Sequence, residues 1–379
     1  MYVGFVVYGG LDRTSGGYRY DRKLVENLRA HGDEVDVVAI PQRTYPRHLA
    51  DGVSRTLRSR LNRPYDVLVQ DELCHASLWR HNPHLDRPGA IVSVVHLLRS
   101  GPSAGVWSPL YRSVERRYLD SVGAAVCTSR DTRDRTERLA DVPTQVAPPA
   151  GRVEGAALAS DEVASRARDG RLRVAFVGNL QPRKGVKPLL DAFSRIVNER
   201  RRSATLTVVG SRDADPAHAR SAVERATELD VDGCVTFAGR VSSDELRRVL
   251  RRSHVLAVPA AYEGFGMVYL EAMEYGVVPI ASAVGGAREI VDDGQNGFLV
   301  EPGDADALAD RLARLDADRD ELARLGANAL RTADDHPTWA ETTARVRSFL
   351  RAQADGSDDS HERASRSGTY SAAEPGDPP

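Results

Sequence analysis

The chain has 379 residues, 41% hydrophobic and 28% charged, with a formal charge of -2 and a pI near 6.6. That length exceeds the roughly 100–200 residues of one domain and supports two cores, while the near-neutral balance lacks the positive field of a dedicated nucleic-acid binder. Cys74, Cys127 and Cys234 show no C-x-x-C spacing, which argues against a disulfide framework or structural zinc and fits a reducing cytosol.

The opening run MYVGFVVYGG is too short for a secretory leader and lacks a basic flank. No stretch approaches the ~20 apolar residues that span a bilayer, so a cytoplasmic protein is expected. From there, short β-rich runs alternate with longer amphipathic stretches, the pattern of βα units and parallel sheets. The first half offers strands at 3 to 8, 35 to 40, 66 to 70, 90 to 95 and 124 to 128. Gly16 and Gly17 fall between the first strand and the helix YDRKLVENLRA, where paired glycines let a backbone approach a ligand closely. Asp71 and Glu72 follow the third strand, and His96 ends AIVSVVH, so all three sit at the carboxyl ends of strands. Arginines at 47, 55, 58, 60, 63, 112, 116 and 117 suit either a solvated charged face or peripheral contact with anionic lipid at the inner face of a membrane.

Residues 147 to 170 are rich in Ala, Gly, Pro and Ser with weak periodicity, and a linker is expected over 151–171. It separates a first domain, 1–150, with 21 basic and 17 acidic residues, from a remainder with 31 and 37. Strands follow at 172 to 178, 204 to 210, 234 to 239, 254 to 259, 277 to 282 and 298 to 300. These place a second Rossmann-like domain at 172–335, with a C-terminal helix at 336–353 expected to pack back on the first domain. Residues 354–379 have almost no aliphatic content and are expected to be disordered. The fold class is therefore α/β: two doubly wound domains facing across a crevice, with ligands at the carboxyl ends of both sheets.

Three features of the second half suit a phosphate-bearing ligand. In VAFVGNLQPRKGV, a strand leads through Gly178 to Arg183, Lys184 and Gly185 at the start of a helix, and a cation there suits phosphate. Only Lys23, Lys184 and Lys187 among 52 basic residues are lysine, so Lys184 stands out. The Walker A pattern is absent. In EGFGMVYLE, Glu263 lies in a strand-to-helix loop, Gly264, Phe265 and Gly266 open a helix, and Glu271 lies further along it. That spacing does not automatically face the two carboxylates as a glycosidase pair at ~5–5.5 Å requires. It suits two holders of hydroxyl groups instead. Gly285 and Gly286 could bring backbone N–H groups toward the same ligand. The D-x-D triplets at 213, 304 and 316 read as helix caps and solvated surface, and no metal is implied.

The order GNLQPRKG, GRVSSDEL and VPAAYEGFGMVYLEAMEYGVVPIASAVGGAREIVDDGQNGFLVEPGDADAL resembles the donor-binding domain of family 4 (group 1) retaining glycosyltransferases, most strongly over 172 to 315. The resemblance implies the two-Rossmann, glycosyltransferase B-type fold, with a nucleotide-diphosphate sugar on the second domain and the acceptor held mainly by the first. Under it, Glu271 would bind the ribose hydroxyls and Glu263 the transferred sugar. Gly264, Phe265 and Gly266 would lie near sugar and diphosphate, and Arg240 and Val241 near the base. Lys184 would neutralise the departing diphosphate without metal. Gly16, Gly17 and His96 would face the reaction centre from the first domain, His96 on the donor sugar. Many members carry Arg where this chain has Asn179, and Arg183 is a candidate substitute.

The function expected is retaining transfer of a sugar from a nucleotide-diphosphate sugar to an acceptor hydroxyl on a glycan, a lipid-linked or a small molecule. The donor is a substrate and no cofactor is implied. The alternatives are a non-catalytic nucleotide-sugar-binding module, which Asn179 would suit, or a sugar-nucleotide epimerase of the same architecture.

Overall fold

The computed structural model describes residues 1–13, 15–101, 105, 107–199 and 203–367. Strands β1 (Tyr2–Tyr8), β2 (Glu34–Ile40), β3 (Val67–Asp71), β4 (Ala90–Val95), β5 (Ala124–Cys127) and β6 (Thr144–Val146) form a sheet in the order β2-β1-β3-β4-β5-β6. Strands β7 (Leu172–Val177), β8 (Ala204–Val209), β9 (Val235–Gly239), β10 (Val255–Val258), β11 (Val278–Ser282) and β12 (Phe298–Val300) form another, ordered β12-β11-β10-β7-β8-β9. All the pairings are parallel. Helices cover both faces, so the central strands are buried throughout: every residue of β3, β10 and β11 is inside. Each buried Val, Leu or Phe contributes about 1.5–3 kcal/mol against the cost of ordering the chain.

The expected strands lie within about a residue of those observed, and β6 is an addition. It is three half-buried residues, too short for an alternating pattern. In each sheet the strand order reverses once near the centre, between β1 and β3 and between β7 and β10. Loops leaving the carboxyl ends of such a pair diverge to opposite faces and open a crevice.

Two regions differ from the sequence reading. The stretch 151–171, expected to be a linker, contains the helix Ser160–Arg168, whose Val163 and Ala167 lie in the second domain's core. A nine-residue helix with two buried side chains leaves little periodic signal. The last helix, Trp339–Ser367, runs well past residue 354, where disorder was expected to begin. A helix satisfies its own backbone hydrogen bonds, so it can continue beyond Ala354, which packs against the first core, through a segment with almost no aliphatic residues. Residues 368–379 lie outside the described residues.

This helix returns the chain to the first domain. Val346 and Leu350 join the first core, Arg347 Nε donates to Asp33 Oδ2 at 2.6 Å, and Trp339 Nε1 donates to the Gly151 carbonyl at 2.9 Å. The crossover is thereby tied on both sides of the crevice.

Candidate active site

The second-domain wall is built from the loops after β7 and β10, which are adjacent strands. After β7, a 3-10 turn (Pro182–Lys184) ends at Gly185, whose φ of 75° starts the helix Val186–Ser194. A Cβ on Gly185 would stand 2.2 Å from the Pro259 carbonyl oxygen, so only glycine lets the two loops meet. Ala261 N–H donates to the Arg183 carbonyl at 2.7 Å and fixes their register.

This packing turns Lys184 Nζ onto Glu263 Oε1, in an ion pair, with Arg183 Nη1 3.6 Å from the same oxygen. Arg183 Nη1 also donates to the Tyr262 carbonyl at 3.4 Å. Burial lowers the Lys184 ammonium from its ordinary value, the Glu263 carboxylate opposes that shift, and Arg183 adds to it. Two cations thus converge on one buried carboxylate at the sheet's switch point. Asn179 is exposed on the neighbouring turn, with its carbonyl accepting from Gln181 N–H at 2.8 Å.

Beyond Glu263 the structure shifts the expected helix start. Gly264 and Phe265 remain loop, Gly266 is the cap with φ 93°, and the helix is Met267–Met273. Glu271 is therefore about one turn in, buried, and held by two arginines. Arg19 Nη1 lies 2.8 Å and Arg152 Nη2 3.0 Å from its Oε1. Arg152 is aimed by Glu274, whose Oε1 accepts from Val153 N–H at 2.7 Å and Glu154 N–H at 2.8 Å. Burial raises the Glu274 carboxyl to about 7, and the nearby Glu271 adds to that while those N–H donors oppose it. Arg152 Nη1 also reaches Ser243 Oγ at 3.4 Å, two residues past Val241, so the loop carrying Arg240 and Val241 borders the same arginine. Arg240 itself is exposed.

Gly285 and Gly286 close the floor. A Cβ on Gly285 would meet the Glu263 carbonyl at 2.2 Å, and Gly286 N–H donates to that carbonyl at 3.0 Å. The Gly286 N–H therefore serves the loop itself.

The first domain supplies the opposite wall. Gly16 and Gly17 begin the helix Gly16–Ala30, and Cβ atoms on them would stand 3.1 Å from Met267 Sδ and 3.2 Å from His96 Cδ2. His96 Nε2 is 2.9 Å from Asp21 Oδ1. Its backbone carbonyl faces Gly264 so closely that a Cβ there would lie 2.0 Å away. Ser129 Oγ donates to the Gly264 carbonyl at 2.6 Å, and Tyr262 OH donates to Asp131 Oδ2 at 2.7 Å. The domains therefore meet on the EGFG loop itself. Phe265 is buried and packs near the His336 ring.

All the residues expected at the site from both domains border this junction, with Arg240 and Val241 at its edge. Sequence reasoning missed Arg19, Asp21, Arg152 and the Ser129 to Thr132 turn. Asp21 was detectable: with Leu24, Val25 and Leu28 it occupies the buried stripe of an amphipathic helix, where a carboxylate is out of place. Arg19 and Arg152 carry no pattern that separates them from the other 47 arginines.

Two buried groups, Asp21 with Asp71 and His96, and Glu72 with His75 and Glu115, each bring three ligand-type atoms within 4.8 Å. Both are already engaged in protein hydrogen bonds: His96 with Asp21, Glu72 Oε2 with Leu97 N–H at 3.3 Å, and Glu115 Oε1 with Arg99 N–H. The three D-x-D triplets provide helix caps: Asp215, Asp304 and Asp318 accept from His218, Ala307 and Glu321 N–H at 3.0, 2.9 and 2.8 Å.

Residues 160–332 match the family model of the glycosyl transferases group 1. A D-inositol 3-phosphate glycosyltransferase of Corynebacterium efficiens is 33% identical over 46% of this chain and 42% of its own. A GDP-mannose-dependent alpha-(1-6)-phosphatidylinositol monomannoside mannosyltransferase of Mycobacterium tuberculosis is 33% identical over 65% of this chain and 66% of its own. The chain spans less than half the length of the first curated relatives it matches. Among solved structures, a sucrose-phosphate synthase from Thermosynechococcus elongatus superposes with a TM-score of 0.79 at 22% identity, over 92% of this chain and 98% of that one. Anabaena HepE in complex with UDP-glucose superposes with a TM-score of 0.75 at 17% identity, over 93% and 100%. The fold is thus the two-Rossmann, glycosyltransferase B-type architecture. Together the matches support a group 1 glycosyltransferase.

Proposed function

We propose that the protein is a retaining, metal-independent glycosyltransferase of the family 4 type, moving a hexose from a nucleotide-diphosphate sugar to an acceptor hydroxyl. The observation that carries this is the convergence of Lys184 and Arg183 on Glu263 at the β7/β10 switch point. In the donor complex the cations hold the diphosphate and Glu263 accepts from sugar hydroxyls. Glu271 exchanges an arginine for the ribose hydroxyls, and the Arg240 and Val241 loop borders the base. As the C1–O bond to the diphosphate breaks, the C1–O bond to the acceptor forms on the same face. The acceptor proton passes to a phosphate oxygen, whose developing charge Lys184 and Arg183 stabilise. No glutamate acts as nucleophile. Arg183 supplies the second cation that many family members place at the position of Asn179. The absence of a metal and a cofactor belongs to this proposal, as do a glycan, lipid-linked or small-molecule acceptor and a cytoplasmic location.

The relatives' names mention UDP- and GDP-linked sugars and inositol-based acceptors, so those donors and acceptors form the first panel. The test is donor titration, then release of nucleotide diphosphate with and without acceptor. Ordinary donor affinity with no release under any acceptor favours the alternative, a non-catalytic binding module, to which Asn179 still lends support. Interconversion of the donor sugar without transfer favours an epimerase.

Peripheral membrane contact is part of the proposal. Among the described residues no helix is long and apolar enough to cross a membrane. Trp107 and Leu110 are exposed beside Arg112, Arg116 and Arg117 on the helix Ser108–Leu119, which suits an anionic lipid surface. Co-sedimentation with vesicles that needs anionic lipid and is lost in Arg112→Ala/Arg116→Ala supports it.

A further inference from the structure

Behind the crevice, His96 belongs to a buried cluster with Asp21 and Asp71, two carboxylates to which the proposed donor contacts give no part. His96 Nε2 lies 2.9 Å from Asp21 Oδ1. The second oxygens, Asp21 Oδ2 and Asp71 Oδ2, are both buried without a hydrogen-bond partner. Asp71 Oδ1 accepts from Leu73 N–H at 2.9 Å. Two adjacent buried carboxylates do not both stay ionised, because each disfavours the charge on the other. One proton placed between them satisfies both orphaned oxygens at once and leaves a single negative charge, which an imidazolium balances.

We propose that Asp21 and Asp71 share a proton and together keep His96 as an imidazolium, so that His96 faces the crevice with Nδ1–H as a hydrogen-bond donor and not as a base. Asp21 and Asp71 are then positioning residues, and the inference deepens the transferase reading, on which the role of His96 toward the sugar rests. Among the described residues His96 Nδ1 has no protein partner. Tyr20 packs edge-on against the ring with centroids 5.3 Å apart, and on the Gly17 side a Cβ would stand only 3.2 Å from His96 Cδ2, so the ring is held from both helix positions. Burial works against the charge on His96, but the Asp21 carboxylate, assisted by Asp71, outweighs it and raises the imidazole. Burial, then the Asp21 charge, push the Asp71 carboxyl up to about 7, with His96 opposing.

The other groups facing the cluster are Tyr18 and Tyr20 on the same helix, Tyr8 at the end of β1, Glu72 and Cys74 after β3, and Cys127 at the end of β5. Burial favours the neutral form of each. Arg13 near Tyr18 and Arg345 near Tyr20 act on those tyrosines from the rim.

Histidine-labelled full-length protein, titrated by NMR without substrate, tests this independently of the transferase reading. The His96 resonances should titrate above the ordinary histidine range and show a second inflection as Asp71 loses its proton. Asp21→Asn should drop the titration back to or below that range. Asp71→Asn, whose amide donates as the protonated acid does, should keep His96 charged and remove the second inflection, and the corresponding step in the pH profile of donor turnover. A wild-type His96 that titrates at or below the ordinary range overturns the proposal. So does stoichiometric binding of Zn2+ or Mn2+ that Asp21→Asn abolishes, because the cluster would then be a metal site. Failure of nucleotide release with an intact His96 titration would instead overturn the transferase reading and leave the cluster's chemistry standing.

Discussion

Arg19 of the first domain and Glu271 of the second form a 2.8 Å ion pair across the crevice, and Arg152 from the crossover completes a three-residue clamp. Glu271 cannot serve both arginines and a pair of ribose hydroxyls with the same lone pairs. Under the proposed role of Glu271 toward the ribose, donor binding therefore rearranges the clamp. Arg19→Ala should free Glu271 yet loosen the domains. A modest change in donor affinity, within about tenfold, is expected with a larger radius of gyration of the donor-free protein. Glu271→Ala should weaken donor binding by at least about tenfold, since each charge-assisted hydrogen bond is worth ~1.5–3 kcal/mol. Calorimetric titration and small-angle scattering read the two effects separately.

On the proposed mechanism Lys184 acts on charge that develops as the diphosphate leaves, so Lys184→Ala should lower kcat more than it raises KM, with kcat/KM reduced by about 100-fold or more. The pH dependence has a definite sign. Burial lowers the ammonium of Lys184, and the proposed mechanism uses its protonated form. The kcat/KM, which reports the free enzyme, should therefore fall on the alkaline side at a pH below the ordinary lysine range. Steady-state rates across pH, with binding measured in parallel, check both statements. Equal activity of Lys184→Ala at every pH would remove Lys184 from the mechanism.

Arg183 and Asn179 make a paired prediction. Arg183 Nη1 stands 3.6 Å from Glu263 Oε1, so it reaches the site that Lys184 occupies. Arg183→Ala should cost about ten- to a hundredfold in kcat/KM, the value of one charge-assisted contact. Asn179→Arg, introduced into that variant, should restore much of the loss. No rescue would mean that position 179 does not point at the diphosphate in this chain.

The strand frame was legible because buried parallel strands leave continuous apolar runs: the VAFVG and VLAVP stretches locate β7 and β10 without help from the rest of the chain. Lys184, Glu263 and His96 were legible because polar groups at the ends of such runs stand out. The clamp on Glu271 was not, since an interdomain ion pair joins residues 252 positions apart and nothing local marks Arg19 as a partner. The helix start was misplaced for a related reason. Gly264 and Gly266 look like a helix cap, but Gly264 serves close contact with the His96 carbonyl, and only Gly266 is the cap.

Asp33 gives a stability prediction. Burial alone would raise its carboxyl, but Arg347 and the Met1 ammonium outweigh burial and hold it below the ordinary carboxylate value. A depressed folded-state value stabilises the protein above the unfolded value, and that contribution is lost as pH falls through the folded one. Asp33→Asn should therefore destabilise the protein by about 1–3 kcal/mol near neutral pH. The gap from the wild type should narrow under acid, in urea melts followed from neutral to acid pH. A gap that stays constant with pH would mean that the Arg347 contact contributes through packing and not charge.

Gly264 and Gly185 separate domain closure from folding. A Cβ on Gly264 would lie 2.0 Å from the His96 carbonyl oxygen, a contact between domains. A Cβ on Gly185 would lie 2.2 Å from the Pro259 carbonyl, a contact within one domain, at a φ of 75°. Gly264→Ala can relieve its clash by opening the crevice, which moves the first-domain wall off the donor. An ångström of misplacement is worth on the order of 100-fold in rate. The expected result is a large loss in kcat/KM with a nearly unchanged melting temperature. Gly185→Ala has no such escape, because both loops belong to one core. It should lower the melting temperature by the equivalent of about 1–3 kcal/mol of backbone strain and weaken donor binding as the Lys184 turn shifts. Thermal melts and rates on both variants distinguish the cases. Equal thermal destabilisation by the two substitutions would place the Gly264 contact inside the folding unit of the second domain and count against closure as its role.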